Sequence, residues 1–293
     1  QKTAYEISLG LVGSEMCIRD RIEGDINDLS SLDEAFENVN EVYHCAAFIS
    51  FNNQDLNAMK KINISGTANM INCALDKKIS KFCYVSTIAA VGETTNSLID
   101  EECEWKENNN PYSETKHYAE LEVWRGISEG LNAVIVNPGV IVGSGFWKRG
   151  SGAFITQVSR GMSYYPTGET GFICVKDVVK IMIQLMNKNI FSNRFILVAE
   201  NWAQRDFINS ICKYFNMTPP VKKASKGIMY FGLLLDFLRS KLLNKRRRLS
   251  RSIIKSGQSL NKYSNKKIKN TLDYNFIKVE DSIKETCKNF NTN

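Results

Sequence analysis

Two spacings of apolar residues alternate along the chain: short unbroken runs, and stretches in which apolar positions return every three or four residues. Runs of the first kind at 41–47, 81–85, 131–136 and 195–198 predict buried strands. Stretches of the second kind at 29–38, 57–75, 119–130, 173–186 and 204–215 predict helices, the first with Leu32, Ala35 and Phe36 on one side. Residues 23–28 read as a strand end and a turn, and 163–166 and 168–172 read as loops. The 41–47 run closes on Ala46 and Ala47, small residues that let a ligand approach the backbone at a strand end. The alternation predicts an α/β fold with a parallel sheet covered on both faces.

Composition bounds this picture. A chain of 293 residues, 43% hydrophobic, suits one large domain or a domain carrying a smaller lobe. Its eight cysteines are scattered, with no C-x-x-C pair and only His44 and His117 to join them, so no zinc site or disulfide framework is indicated. That usage suits a reducing, cytoplasmic location. No run reaches the roughly 18 to 20 apolar residues of a membrane span. Residues 1–21 continue no clear period. Gly10 and Gly13 invite comparison with a phosphate-cradling turn, but 5–21 resembles translated sequencing-adapter read-through, and 1–21 reads as a non-native segment.

The net charge of +7 is unevenly placed: residues 222–269 hold fifteen Lys/Arg against one acid, Asp236, which is +14, so the rest of the chain carries −7. Within 227–255 the run from Ile228 to Leu235 precedes Lys245, Arg246, Arg247 and Arg248. It reads either as an amphipathic helix on an acidic membrane surface, a peripheral contact, or as a lobe helix covering a pocket with its charges solvated. No aromatic interleaving accompanies the charges, and no nucleic-acid partner is expected.

The candidate chemistry centres on Tyr112 and Lys116. Four positions apart, they share one face of a helix, so an ammonium can sit beside a phenol. A free phenol titrates near about 10, and a fixed cation favours the phenolate by about 1 to 3 units, which is acid/base equipment for neutral pH. Other motifs surround the pair: Gly24-Asp25-Ile26-x-Asp28, His44-x-Ala46-Ala47, Asn63-x-x-Gly66-Thr67, Tyr84-Val85-Ser86-Thr87 with Gly92, and Asn137-Pro138-Gly139-Val140. In this order they resemble the extended short-chain dehydrogenase/reductase family, within it the NAD-dependent epimerase/dehydratase relatives that include dihydroflavonol reductase-like and hydroxysteroid dehydrogenase-like proteins. The resemblance runs from Ile22 to about Phe290.

It implies a Rossmann-type doubly wound sheet at 22–150, to which 171–200 returns, with 151–293 mostly a smaller C-terminal substrate lobe. It also implies NAD or NADP as cofactor, a small-molecule substrate, and a homodimer formed through the Tyr112 helix and its neighbour. By the same resemblance Tyr112 exchanges a proton with the substrate oxygen, Lys116 lowers its pKa and holds the nicotinamide ribose, and Thr87 bonds the same oxygen. Asn63 supports the lysine through water. Asp25 and Ile26 meet the adenine, Ala46, Ala47 and Ser86 border the cofactor, and Pro138, Gly139 and Val140 pack on the nicotinamide.

The family's opening strand, glycine turn and second strand are missing: only fourteen residues separate Gly10 from Asp25, whereas a β-α-β unit takes about 30 or more. The expectation is a chain beginning at the third strand, lacking its central strand, that folds poorly and binds dinucleotide weakly; an intact parent would be the enzyme. Family dehydratases carry an Asp-Glu pair after the active-site threonine, whereas Ile88 and Ala89 follow Thr87. Together with apolar Phe48 near the site, this points to carbonyl reduction or alcohol oxidation on a fairly apolar substrate. A nucleotide-sugar epimerase and a non-catalytic binding remnant are the alternatives.

Overall fold

The computed structural model describes residues 22–92, 98–107, 110–148, 150–243, 247 and 249–290. Asp28 accepts a hydrogen bond from the Ser30 amide and starts α1, Leu29–Ala35, which drops Leu32 into the core. Strand β1, Glu41–His44, follows. The predicted single helix at 57–75 is broken into α2, Leu56–Met59, a π-helical stretch, Lys60–Ser65, and α3, Gly66–Asp76. Next come β2, Lys81–Val85, a 3₁₀ turn, Ile88–Ala90, and the long α4, Pro111–Ser128. Helix α4 begins where it does because Asn110 accepts from the amides of Tyr112 and Ser113, and Pro111 fills the first turn, where a missing N–H costs nothing.

Strand β3, Ala133–Pro138, runs straight on into β4, Val140–Val142, followed by α5, Gly150–Ser159, β5, Tyr164–Tyr165, and β6, Glu169–Cys174. Helix α6, Val175–Asn187, leads to β7, Asn193–Leu197, β8, Glu200–Ala203, and α7, Gln204–Tyr214. The remainder is β9, Lys222–Lys223, α8, Lys226–Leu242, α9, Arg251–Ser256, α10, Lys266–Leu272, and α11, Val279–Phe290.

The main sheet is parallel throughout, in the order β1-β2-β3-β7. Strict alternation along its strands divides two cores. Phe82, Tyr84, Ala133 and Ile135 pack against Leu32, Ile71, Ala119 and Val123 on one face. Cys83, Val134, Val136 and Phe195 pack against Ile181, Leu185 and Ile268 on the other. This is the doubly wound arrangement. Strand β1 is an edge with a partner only in β2 among the described residues; Glu41 and Tyr43 are exposed on it. A third core holds the smaller sheet, ordered β4-β6-β8, under α5, α7 and α11.

Two stretches that read as loops are strands. Gly168 and Gly171 in 168–172 imitate a turn, yet β6 has backbone partners on both sides, β4 parallel and β8 antiparallel. Those ladders decide the conformation of a segment with weak local preference. Within 163–166, Tyr164–Tyr165 pairs with β9. Gly171 and Gly139 are placed where the two sheets meet. A Cβ on Gly139 would stand 2.5 Å from the Gly171 carbonyl oxygen and 3.2 Å from Val198 Cγ2. Backbone cannot give way as a side-chain tip can, so Gly139→Ala is expected to cost about 1–3 kcal/mol in a denaturant or thermal melt. A variant as stable as the parent would refute the close approach.

Candidate active site

The parallel order puts the carboxyl ends of β1, β2 and β3 side by side, and the first turns of α4 lie across them. Tyr112, half-buried, sets its phenol near the Thr87 side chain just beyond the end of β2, close enough for Thr87 to act on its pKa. Thr87 is extended, caps the 3₁₀ turn through its hydroxyl to the Ala89 amide, and accepts from Asn137 at its carbonyl. The Tyr112 ring meets Phe51 edge to face at 6.0 Å. Two of the three expected catalytic groups thus lie near each other, with Phe51 against the Tyr112 ring.

Lys116 is 1% exposed and turns the other way. Its ammonium donates to the Tyr84 hydroxyl at 2.7 Å and the Val85 carbonyl at 2.8 Å. Thr67 lies near the Tyr84 hydroxyl and acts to lower its pKa, and the Thr67 hydroxyl lies 3.0 Å from His44 Nε2. In this arrangement the ammonium bonds the end of β2 rather than the Tyr112 phenol. Burial pushes Tyr112 up to about 12, with the nearby Thr87 side chain acting downward. Burial also draws Lys116 down to about 7, against the opposing pull of Glu120 and Cys45, and His44 down to about 3, with Lys116 assisting. Helical spacing sets the shared face, whereas a four-carbon stem chooses its own acceptor.

Glu120 is the residue the sequence reading passed over. It lies one turn beyond Lys116, is 1% exposed, and accepts from Ser86 Oγ and, at 2.5 Å, from Asn137 Nδ2. Arg194 Nη1 approaches to 3.7 Å. Burial raises its pKa, with these partners lowering it. The signal was available: Tyr112, Lys116 and Glu120 stand at i, i+4 and i+8, and a carboxylate on the stripe that carries Ala119 and Val123 needs buried partners. The Ser86 hydroxyl, at the end of β2, is committed to Glu120.

Asn63 sits in the π-helical stretch and holds a loop: it accepts from the Phe48 amide at 2.7 Å, and donates to the Phe48 carbonyl at 3.0 Å and to Thr115 Oγ1 at 3.1 Å. Instead of the expected link toward Lys116, its amide joins the Phe48 backbone to α4. Gly66 of the same motif is flat because Ile26 lies on it, with Cδ1 2.5 Å from where a Cβ would be, while Asn69 holds the Ile26 carbonyl. Asp25 is exposed and turned into its own loop, accepting from Asn27, which lowers its pKa. Ala46 and Ala47 are exposed beyond β1; Pro138 is buried, and Val140 is half-buried against the third core.

Phe48 and Phe51 line a cavity of ≈ 200 Å³. It shares Asn52, Arg247, Leu249 and Ser250 with a larger one of ≈ 830 Å³, walled by Tyr230, Leu233, Leu234 and Phe237 of α8. The two cavities therefore adjoin, and Phe51, which packs on Tyr112, lines the smaller one.

The model of the NAD dependent epimerase/dehydratase family matches residues 6–199. The chain belongs to that family. It is 29% identical to sterol demethylase protein B of Methylococcus capsulatus (strain Bath) over 62% of this chain and 57% of the relative. It is 30% identical to a putative dihydroflavonol 4-reductase of Synechocystis over 42% of this chain and 37% of the relative. The chain thus spans about a third to just over half the length of these two relatives. The crystal structure of gox2253 superposes with a TM-score of 0.78 at 26% identity, covering 92% of this chain and 83% of that one.

The family's cofactor is NAD by its own description, and part of its site can be tested against these residues. An ammonium has three N–H donors, and Lys116 has two protein acceptors among the described residues, so one donor remains for a ribose hydroxyl. The exposed alanines after β1 leave backbone open beside it. These residues fit the ribose–nicotinamide end of a dinucleotide. Gly10 and Gly13 lie outside the described residues.

Proposed function

We propose that this epimerase/dehydratase-family chain carries the acid/base groups of an NAD(P)-dependent oxidoreductase that interconverts a carbonyl and an alcohol on a small, fairly apolar substrate. The observation that carries the reading is the nearness of the Tyr112 phenol to Thr87, with Phe51 packed on the Tyr112 ring and lining the adjoining cavity. When bound, the dinucleotide supplies or accepts the hydride. Thr87 and Tyr112 converge on one substrate oxygen, Thr87 fixing its position and Tyr112 giving or taking its proton. A phenol raised to about 12 is fully protonated at neutral pH, which suits donation to a carbonyl oxygen as it becomes an alcohol. Lys116 holds the ribose through its remaining donor. Phe48, Phe51 and the α8 wall exclude water from the apolar body of the substrate.

A carbonyl reductase consumes reduced cofactor in proportion to ketone, whereas a nucleotide-sugar epimerase recycles it with no net change. The expected result is stoichiometric loss of NADH or NADPH absorbance with an apolar ketone, and an upward shift of the thermal melt with one of the two cofactors. Silent interconversion of a nucleotide sugar would overturn the reading in favour of the epimerase. A melt indifferent to both cofactors would overturn it in favour of a binding remnant.

A further inference from the structure

Helix α8 leaves an apolar face uncovered. Ile228, Phe231, Leu235, Leu238 and Leu242 follow one another at intervals of three and four residues, which aligns them in a single stripe, and each is at least 44% exposed, Leu242 81%. Single exposed apolar residues are ordinary, but a continuous stripe along a seventeen-residue helix calls for a covering surface. The helix carries one acid, Asp236, and it is buried, paired with Arg239 at 2.8 Å and bonded to the Leu249 amide. No exposed negative charge therefore interrupts the face, while Lys222 and Lys223 in β9 and Lys226 and Lys241 on α8 are exposed. The surrounding segment, 222–269, is the +14 part of a chain whose remainder is −7.

We propose that α8 docks the protein on an anionic lipid bilayer, its stripe lying in the interfacial layer and its lysines among the head groups. Charge selects this occupant. A second copy would bring a patch of the same sign against this one across a two-fold axis, and repulsion would oppose the apolar contact. An anionic bilayer supplies both what the stripe needs and what the lysines need. No helix among the described residues is long and apolar enough to cross a membrane, so this contact is peripheral. The adjoining arc of α8, Tyr230, Leu234 and Phe237, walls the ≈ 830 Å³ cavity, so a docked helix would set that cavity at the lipid surface. Delivery of an apolar substrate by this route rests on the oxidoreductase reading; docking does not.

The test is co-sedimentation of the full chain with vesicles of phosphatidylcholine alone and of an equal mixture with phosphatidylglycerol. Binding to the mixed vesicles alone is expected, weakened as salt rises from about 0.1 to about 1 M. The double variant Phe231→Ser/Leu235→Ser should bind them about tenfold or more weakly, with unchanged circular dichroism and melting temperature because both side chains are exposed. Absence of binding to mixed vesicles would overturn the proposal, as would undiminished binding by the double variant. So would a dimer, dissociated by the same variant, that ignores vesicles; the stripe would then pair two copies. Because no turnover is read, failure here leaves the oxidoreductase reading standing, and failure of that reading leaves this one standing.

Discussion

Replacing Tyr112 with phenylalanine is expected to lower turnover by about 10² to 10⁴-fold, the range for losing a positioned general acid, while cofactor binding stays near the parent value. The substitution keeps the ring, its edge contact with Phe51 and the start of α4, which depends on the Tyr112 backbone amide and not on the phenol. Only the hydroxyl, which lies near Thr87, is lost. The two directions of the reaction should also differ in pH dependence. With the phenol held up at about 12, reduction draws on a group protonated throughout the neutral range, whereas oxidation needs the deprotonated form and should quicken as pH rises toward that value. Steady-state rates with ketone and alcohol, measured for parent and variant across pH, check both statements. Turnover within a few-fold of the parent would remove Tyr112 from the chemistry.

What was legible in advance follows from how strongly each feature is written in local spacing. Strands β2 and β3 are apolar on both faces because helices cover both faces, so their sequences announce a parallel sheet. The Tyr112/Lys116 register was legible because an interval of four fixes a shared helical face whatever lies around it. The direction of the Lys116 ammonium was not, since it depends on the Tyr84 hydroxyl and Val85 carbonyl, supplied by a strand about thirty residues away in sequence. Strand β6 was hidden for a related reason: Gly168 and Gly171 read as turn formers, but they answer to close approaches by the Gly257 and Ser259 carbonyls and by Val198, contacts that exist only in the fold. The motif around Asn63 was recognised as a unit, yet its parts serve separate partners: Phe48 for Asn63, Ile26 for Gly66, and His44 and Tyr84 for Thr67.

The largest effect on stability is expected at Glu120. Glu120→Ala would leave the Ser86 hydroxyl without its acceptor and the Asn137 amide with only the Thr87 carbonyl, in a site closed to water, and the Arg194 guanidinium without its nearby carboxylate. Removing one member of such a buried set costs about 3–5 kcal/mol, which for a chain of this size lowers the melting temperature by roughly 6–20 °C. Glu120→Gln should cost much less, because a carboxamide oxygen still accepts from Ser86 and Asn137. The pH dependence separates a buried acid from a buried carboxylate. Burial raises Glu120 above its ordinary value, so the folded chain keeps this proton when the unfolded chain has lost it. Its contribution is complete below the unfolded value near about 4.3 and is lost as pH rises through the folded value. Lys116 runs the opposite way: its folded value is about 7 against about 10.4 unfolded, so its burial penalty is complete below 7 and fades as pH climbs toward 10.4. Glu120→Gln removes the first dependence and, by taking away the upward pull of Glu120 on the ammonium, moves the second to lower pH, which acts in the same direction on the gap between the two proteins. The stability gap between parent and Glu120→Gln, measured by denaturant melts, should therefore narrow from pH 5 to pH 8. A gap that widens would mean that Glu120 is an ionised carboxylate held by Arg194, and that the ammonium of Lys116 faces a neighbouring negative charge rather than a neutral acid.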